Sequence, residues 1–244
     1  MIGLGTIINT AAIILGGIAG GLFGKRLTER YQDTLMKACG LCVIFLGIAG
    51  ALEKMFTVQN GNIVSGGTMM MIASFAIGSL VGEWINIEHH MNRFGEWLKV
   101  KSGNSKVKSG NSKDKIFVDA FVTASLTVCV GAMAIVGSIQ DGILGDCNTL
   151  LMKAILDFVI ICVMTASMGK GCAFSAIPVA LFQGSITLLA RGIEPIMTEP
   201  ALNNLSLVGS MLIFCVGVNL VWEKKFKVAN MLPAIVVAVI WAFF

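Results

Sequence analysis

Residues 150–169 read LLMKAILDFVIICVMTASMG, and residues 172–190 read CAFSAIPVALFQGSITLLA. Each stretch has the length and apolar character that a helix needs to cross a hydrocarbon core about 30 Å thick. The connection Gly169-Lys170-Gly171 between them leaves room only for a tight turn. The two stretches therefore predict a hairpin of neighbouring, antiparallel transmembrane helices.

The composition of the whole chain agrees with this hairpin. Of the 244 residues, 56% are apolar and 13% are charged, whereas a soluble domain carries about a quarter charged residues. The mean hydropathy is +0.83. These values exclude an ordinary soluble globule, a disordered tail and a secreted disulfide scaffold. The fold class predicted is an all-α polytopic membrane protein.

Extending the search outward from the hairpin gives eight predicted spans, at about residues 3–24, 35–55, 65–87, 117–139, 150–169, 172–190, 205–222 and 228–244. If the N-terminus is outside, 15 of the 18 basic residues fall on the inner side, and the three exceptions are Lys54, Lys153 and Arg191. The positive-inside rule predicts such a bias for short loops. Both termini are therefore predicted to lie outside the membrane.

The loops divide the chain into three segments. Residues 1–99 hold the first three spans and an interfacial helix, which is indicated by Trp84, Ile87 and Met91 at helical spacing. Residues 100–115 form a basic linker in which Val-Lys-Ser-Gly-Asn-Ser-Lys occurs twice, and residues 116–244 hold the last five spans. A linker of this composition is predicted to be flexible and cytoplasmic, and to contact anionic membrane lipids. The three segments together form one integral membrane domain.

Two segments about 170 residues apart resemble each other. GLCVIFLG at 40–47 and GSMLIFCV at 209–216 each occur in the second helix of a three-span group. On the predicted topology, spans 1–3 and spans 6–8 would then form an inverted repeat, as in many alternating-access transporters. The other interpretation is chance similarity between apolar helices.

Polar residues at membrane depth are the candidates for a site, because burying them in lipid is unfavourable. Lys153 and Asp157 are four residues apart, so they share one helix face and can pair. Asp157 is predicted to be the one acid inside the membrane, either as a structural hydrogen-bond anchor or as a site for a cation or proton. The further pathway candidates are Asn9, Gln183, Asn219, Ser138 and Asp119.

The fourth span contains Gly137-Ser138 and Asp141-Gly142. This stretch would either break the helix and free carbonyls to coordinate an ion, or form a glycine-rich helix end with a polar cap. In the first span the glycines from Gly16 to Gly24 recur at four-residue spacing. They predict a close helix contact, which could support a homo-oligomer.

The sequence contains no P-loop, HExxH or GxSxG motif, and its two histidines are adjacent. We therefore predict that the protein is not an enzyme and has neither a cofactor nor a metal site. No nucleic-acid partner is expected.

Six short segments carry a family resemblance: GTIINT at 5–10, GSLVGE at 78–83, VGAMAIVGS at 130–138, KAILD at 153–157, QGSIT at 183–187 and VANMLP at 228–233. Together they resemble the bacterial membrane family called domain of unknown function 554, over almost the whole chain apart from the linker. The resemblance implies a bacterial inner-membrane location and a transport role, with no known substrate or catalytic residues.

Two functions follow as hypotheses. The first is a secondary transporter or channel for a small polar solute or monovalent ion, with Asp157 in its pathway. The second is a non-transporting membrane protein that binds a partner or lipid through its basic cytoplasmic loop.

Overall fold

The computed structural model describes residues 2–24, 28–59, 61–101, 112–129, 132–222 and 225–244. Within these ranges the chain is almost entirely helical, as predicted. The α-helices run over Leu4–Gly24 (α1), Glu29–Met55 (α2), Thr68–Ile85 (α3), Ile87–Lys101 (α4), Ser112–Cys129 (α5), Ala132–Leu144 (α6), Asn148–Met168 (α7), Ala176–Ile193 (α8), Glu199–Val221 (α9), Val228–Met231 (α10) and Pro233–Trp241 (α11). A 3-10 helix at Lys170–Ser175 joins α7 to α8, and a hairpin of β1 (Phe56–Gln59) and β2 (Asn62–Ser65) joins α2 to α3.

The described helices confirm an all-α polytopic membrane protein. Six of them are long and apolar enough to cross a membrane, namely α1, α2, α3, α7, α8 with its preceding 3-10 helix, and α9. The fourth predicted span corresponds to α5 and α6, which are bent by 61° relative to each other. The eighth corresponds to the shorter apolar segment Val228–Trp241. The linker at 102–111 lies outside the described residues.

Of the two alternatives for residues 137–142, the broken helix is wrong, because this stretch lies inside α6 and close to its end at Leu144. The bend comes earlier, between the end of α5 at Cys129 and the start of α6 at Ala132. A Cβ atom on Gly137 would lie 2.8 Å from Leu150 Cδ2, and one on Gly142 would lie 2.5 Å from the carbonyl oxygen of Thr187. These glycines therefore allow α6 to pack closely against α7 and α8, and they do not unwind it.

The helices form two compact units. The first consists of Met1–Cys39, His89–Cys129 and Met133–Arg191, and the second of Gly40–Glu88, Val130–Ala132 and Gly192–Phe244. Each unit draws helices from both sides of the linker, so neighbours in space are often distant in sequence.

In the first unit, the glycine face of α1 packs against α7. A Cβ atom on Gly16 would lie 2.6 Å from the Phe158 carbonyl oxygen, and one on Gly24 would lie 2.8 Å from that of Ala166. The predicted close contact is therefore made within the chain. This glycine face is already covered by α7, and a homo-oligomer, which stays a prediction, would need another surface.

Helices α1 and α7 run in the same direction, since Gly5 meets Leu150, Gly16 meets Phe158 and Gly24 meets Ala166. Two parallel spans of one chain must be separated by an odd number of membrane crossings. If α2 and α3 each cross the membrane once, the bent pair of α5 and α6 must supply the third crossing. This order agrees with the alternation of sides that the charge bias predicts.

In the second unit, α2 packs against α9, and α3 packs against α10 and α11. A Cβ atom on Gly47 would lie 2.6 Å from the backbone nitrogen of Phe214, which shows how closely the backbones of α2 and α9 approach. Met70 of α3 and Ala234 and Ala238 of α11 share a buried apolar cluster. Helix α11 therefore extends along much of α3 despite its nine residues.

An ion pair and hydrogen bonds hold one end of α3 to the segment before α10. Glu83 Oε1 lies 2.6 Å from Lys227 Nζ, and Asn230 Nδ2 donates to Glu83 Oε2 at 2.6 Å. The hydrogen bond to Glu83 raises the pKa of Lys227. Asn230 also accepts a hydrogen bond from the backbone N–H of Glu88 at 2.7 Å, where α4 begins.

Candidate functional site

Lys153 and Asp157 of α7 form a buried ion pair in the first unit. Lys153 Nζ lies 2.6 Å from Asp157 Oδ2, and the two residues are 7% and 3% exposed. The helical spacing that predicted the pair also sets its geometry, because residues four apart lie one turn above each other. Lys153 therefore does not extend outward to the interface, but turns inward to the carboxylate.

Lys153 also links this pair to the end of α5. Its ammonium donates to the carbonyl oxygen of Val128 at 2.8 Å. That carbonyl is in the last turn of α5, where backbone carbonyls have no partner within the helix. A positive charge is also favourable at a helix C-terminus. One lysine thus neutralises the acid and stabilises the helix end at the bend.

An amide pair faces the same region from α1 and α8. Asn9 Nδ2 donates to Gln183 Oε1 at 3.2 Å, and the residues are 0% and 1% exposed. Among the described residues, Asn9 Oδ1 and Gln183 Nε2 have no hydrogen-bond partner. If the oxygen and nitrogen positions of both side-chain amides are exchanged, the shared hydrogen bond reverses direction. One donor and one acceptor again remain without a partner.

Asn9 brings the two pairs together, because Gly5 of α1 packs against Leu150 of α7 and Gly16 packs against Phe158, so Asn9 lies beside the part of α7 that holds Lys153 and Asp157. We call Asn9, Lys153, Asp157 and Gln183 the polar cluster. Helices α1, α7 and α8 supply its side chains, and close packing of α1 on α7 positions them. One turn from Asn9, the hydroxyls of Thr6 and Thr187 lie 3.4 Å apart and continue the contact between α1 and α8.

The structure buries a second acid that the sequence prediction missed. Asp141 of α6 is 0% exposed, and its Oδ2 accepts the backbone N–H of Gly5 at 3.1 Å. Gly5 is in the first turn of α1, where the helix dipole favours a negative charge. The prediction that Asp157 is the one buried acid is therefore wrong. Asp141 was assigned to a helix end, but α1 packs over it.

Ser138 is on α6, one turn before Asp141, and is also 0% exposed. In the part of the chain that the structure describes, neither Ser138 Oγ nor Asp141 Oδ1 has a hydrogen-bond partner. Ser138 therefore lies in the buried part of the first unit, and among the described residues no hydrogen bond joins it to the polar cluster.

Two other candidates lie elsewhere. Asp119 of α5 is exposed, so it does not belong to the buried polar cluster. Asn219 belongs to the second unit, where its amide donates to the Phe226 carbonyl at 2.8 Å and accepts the backbone N–H groups of Lys225 and Phe226. Its hydrogen-bonding capacity is used to hold the turn before α10.

The chemistry available at the polar cluster is binding by charge and hydrogen bonds. The lysine and the carboxylate neutralise each other, and the amide pair offers one unused donor and one unused acceptor. Within the described ranges, no group of three or more His, Cys, Asp or Glu side chains is arranged to hold a metal ion. The cluster therefore offers hydrogen-bonding groups and a neutralised ion pair at one buried place in the first unit.

Comparison with known proteins gives one family and two relatives. The family described as "Protein of unknown function (DUF554)" matches residues 4–243. The chain is 33% identical over 233 residues to "Uncharacterized membrane protein YdfK" of Bacillus subtilis (strain 168), covering 96% of this chain and 93% of that protein. It is 27% identical over 236 residues to "Uncharacterized protein YqgA" of Escherichia coli (strain K12), covering 96% and 94%. No solved structure matches.

Proposed function

The chain belongs to the DUF554 family, and we propose that it is a secondary transporter or channel for a small polar solute or monovalent ion in the bacterial inner membrane. The observation that carries the proposal is the polar cluster, in which a buried ion pair adjoins an amide pair with an unused donor and acceptor. Polar groups inside a membrane helix bundle are unfavourable unless they pair or bind something.

The arrangement of helices supports the same proposal. Thr6 meets Thr187 and Asn9 meets Gln183, so α1 and α8 run antiparallel. These are the first helices of the two halves of the predicted inverted repeat. A site at the contact between the two halves of an inverted repeat is typical of secondary transporters. The bend between α5 and α6 lies beside this site, because Lys153 binds the last turn of α5.

The proposed role requires no covalent chemistry from the chain. Binding and release at the polar cluster would suffice, with the ion pair and amides replacing part of the hydration shell of the solute. The alternative function, binding of a partner or lipid through the basic loop, depends on residues 101–113. Most of this segment lies outside the described residues, so it stays a prediction.

Flux through proteoliposomes tests the proposal. Vesicles containing the purified chain would be mixed with an excess of neutral solutes or of sodium and potassium salts, and their swelling followed by light scattering. We expect faster swelling than in empty vesicles for at least one solute, and loss of this increase in Asp157→Asn. Glu194→Gln is the control, because Glu194 lies exposed in the turn after α8.

Size-exclusion profiles of each variant separate loss of flux from loss of folding. If Asp157→Asn is monodisperse and transports as fast as the parent chain, Asp157 has no part in the pathway. If that variant aggregates, Gln183→Met replaces it in the assay, because Gln183 belongs to the same cluster but carries no charge. Equal flux in Gln183→Met and the parent chain would then contradict the proposal.

A further inference from the structure

We infer that the polar cluster recognises a small solute with no net charge that both donates and accepts hydrogen bonds, such as an amide or polyol, in preference to a lone ion. This inference rests on the proposed transport function and names the class of substrate for the same site. Two properties of the cluster carry it, namely its balance of charge and its unused hydrogen-bonding groups.

The charges of the cluster cancel. The charged residues of α1, α7 and α8 are Lys153, Asp157 and Arg191, and Arg191 lies exposed in the last turn of α8. At 2.6 Å, the ammonium and the carboxylate form a contact pair. A cation approaching Asp157 would meet the Lys153 ammonium, and an anion approaching Lys153 would meet the carboxylate. Because buried charges repel strongly when they are alike, the pair disfavours both kinds of ion.

Two hydrogen-bonding groups of the cluster have no partner among the described residues. The amide pair leaves one acceptor and one donor unused, and each is fully buried. A buried polar group without a partner is unfavourable by about 1–3 kcal/mol. A ligand that donates to one group and accepts from the other satisfies both. A solute that only accepts would leave Asn9 Oδ1 without a partner in the observed amide orientation.

A bare monovalent cation is a poor ligand for the groups of the polar cluster. It would need several oxygen ligands, and the oxygen atoms of the cluster belong to Asp157, Asn9 and Gln183. The first of these already binds an ammonium, and Gln183 Oε1 already accepts a hydrogen bond from Asn9. A site with paired hydrogen bonds also discriminates strongly between solutes. A site that accepts a hydrogen bond from a donor group of its ligand rejects an analogue that lacks this donor.

Thermal unfolding of the purified chain in detergent tests this inference without measuring transport. The two probes are acetamide and N,N-dimethylacetamide, which share the carbonyl acceptor, while the methylated analogue has no N–H donor. Sodium and potassium chloride at equal osmolality are the ionic probes. A ligand that binds the folded state at ten times its Kd raises the folded-to-unfolded ratio about elevenfold, and the unfolding temperature rises with it.

Each probe is compared between the parent chain and variants, so that general effects of the additive cancel. We expect acetamide to raise the unfolding temperature of the parent chain more than dimethylacetamide does, and Gln183→Met to abolish this difference. Asn9→Leu should act in the same way if it folds. Asn204→Leu is the matched control, because this amide donates to the Ala238 carbonyl in the second unit. It should preserve the difference.

The outcomes separate this inference from the proposed function. Equal stabilisation by the two amides, a shift only with salts, or no shift with any probe would overturn the inference. Acetamide-specific stabilisation that disappears in Gln183→Met supports it. Ion flux that requires Asp157, with no amide effect, would uphold transport and refute the substrate class. Amide binding without any flux in vesicles would uphold the substrate class and refute transport.

Discussion

Replacing Lys153 by methionine should destabilise the first unit strongly, because it leaves the Asp157 carboxylate buried without its cation. The Nζ to Oδ2 distance is 2.6 Å, and the two side chains are 9% and 5% exposed. Breaking a buried pair by removing one partner costs about 3–5 kcal/mol. The expected loss in the free energy of unfolding for Lys153→Met lies in that range.

Removing both charges should restore most of this loss. In Lys153→Met/Asp157→Leu neither charge of this pair remains, and replacing a buried pair by apolar residues is often close to neutral. The Val128 carbonyl still loses its hydrogen bond, which contributes about 1 kcal/mol. We therefore expect the double variant to be about 2–4 kcal/mol more stable than Lys153→Met.

The assay is unfolding by sodium dodecyl sulfate in mixed micelles, followed by the fluorescence of the four tryptophans. Lys37→Met is the matched control, because Lys37 pairs with Asp33 at the same helical spacing and at 2.7 Å, but with side chains 55% and 53% exposed. An exposed helical pair of this kind contributes about 0.3–0.5 kcal/mol. The reasoning is refuted if Lys153→Met costs no more than Lys37→Met, or if the double variant is no more stable than the single one.

Three further predictions concern packing, the second buried acid and the topology. Gly20→Ala should lower the free energy of unfolding by about 1–3 kcal/mol, because its new Cβ atom meets the Cys162 carbonyl. Gly21→Ala should leave this free energy unchanged or raise it in the same assay, because its Cβ atom has room. Asp141→Leu should lower the unfolding temperature more than Asp141→Asn, since an asparagine oxygen can still accept the N–H of Gly5; equal effects would count against the capping role of Asp141. Alkaline phosphatase fused to the C-terminus should be active in Escherichia coli, and green fluorescent protein fused there should not fluoresce. The opposite result would place the C-terminus inside.

Features set by neighbouring residues could be predicted from the sequence. The spans follow from runs of apolar residues, and the pairing of Lys153 with Asp157 follows from the helix repeat. The reversal of chain direction after Gly169 also follows, but α7 and α8 are joined by a 3-10 helix at Lys170–Ser175 and not by the predicted three-residue turn. In each case the partners are close in the chain, so the geometry of one helix is sufficient to relate them.

Features that join distant helices could not be predicted in this way. Asn9 and Gln183 were each candidates, but their hydrogen bond depends on α1 and α8 meeting in one register. Asp141 was missed as a buried acid because its partner, the N–H of Gly5, is 136 residues away. Asn219 looked equally suited to a pathway, and only the structure shows that its amide is occupied by the turn at residues 225 and 226.

The packing of α1 against α7 has a consequence for synthesis of the protein. Helix α1 ends at Gly24 and α7 begins at Asn148. About 120 residues must therefore be translated after α1 before translation of α7 begins. At about 5–20 residues per second, this takes about 6–25 s. Throughout that interval the bare glycine face and the Asn9 amide lie beside lipid or the insertion machinery. The first helix to enter the membrane therefore waits for its partner with a polar side chain unpaired, and an insertase that shields polar helices should be needed at this stage.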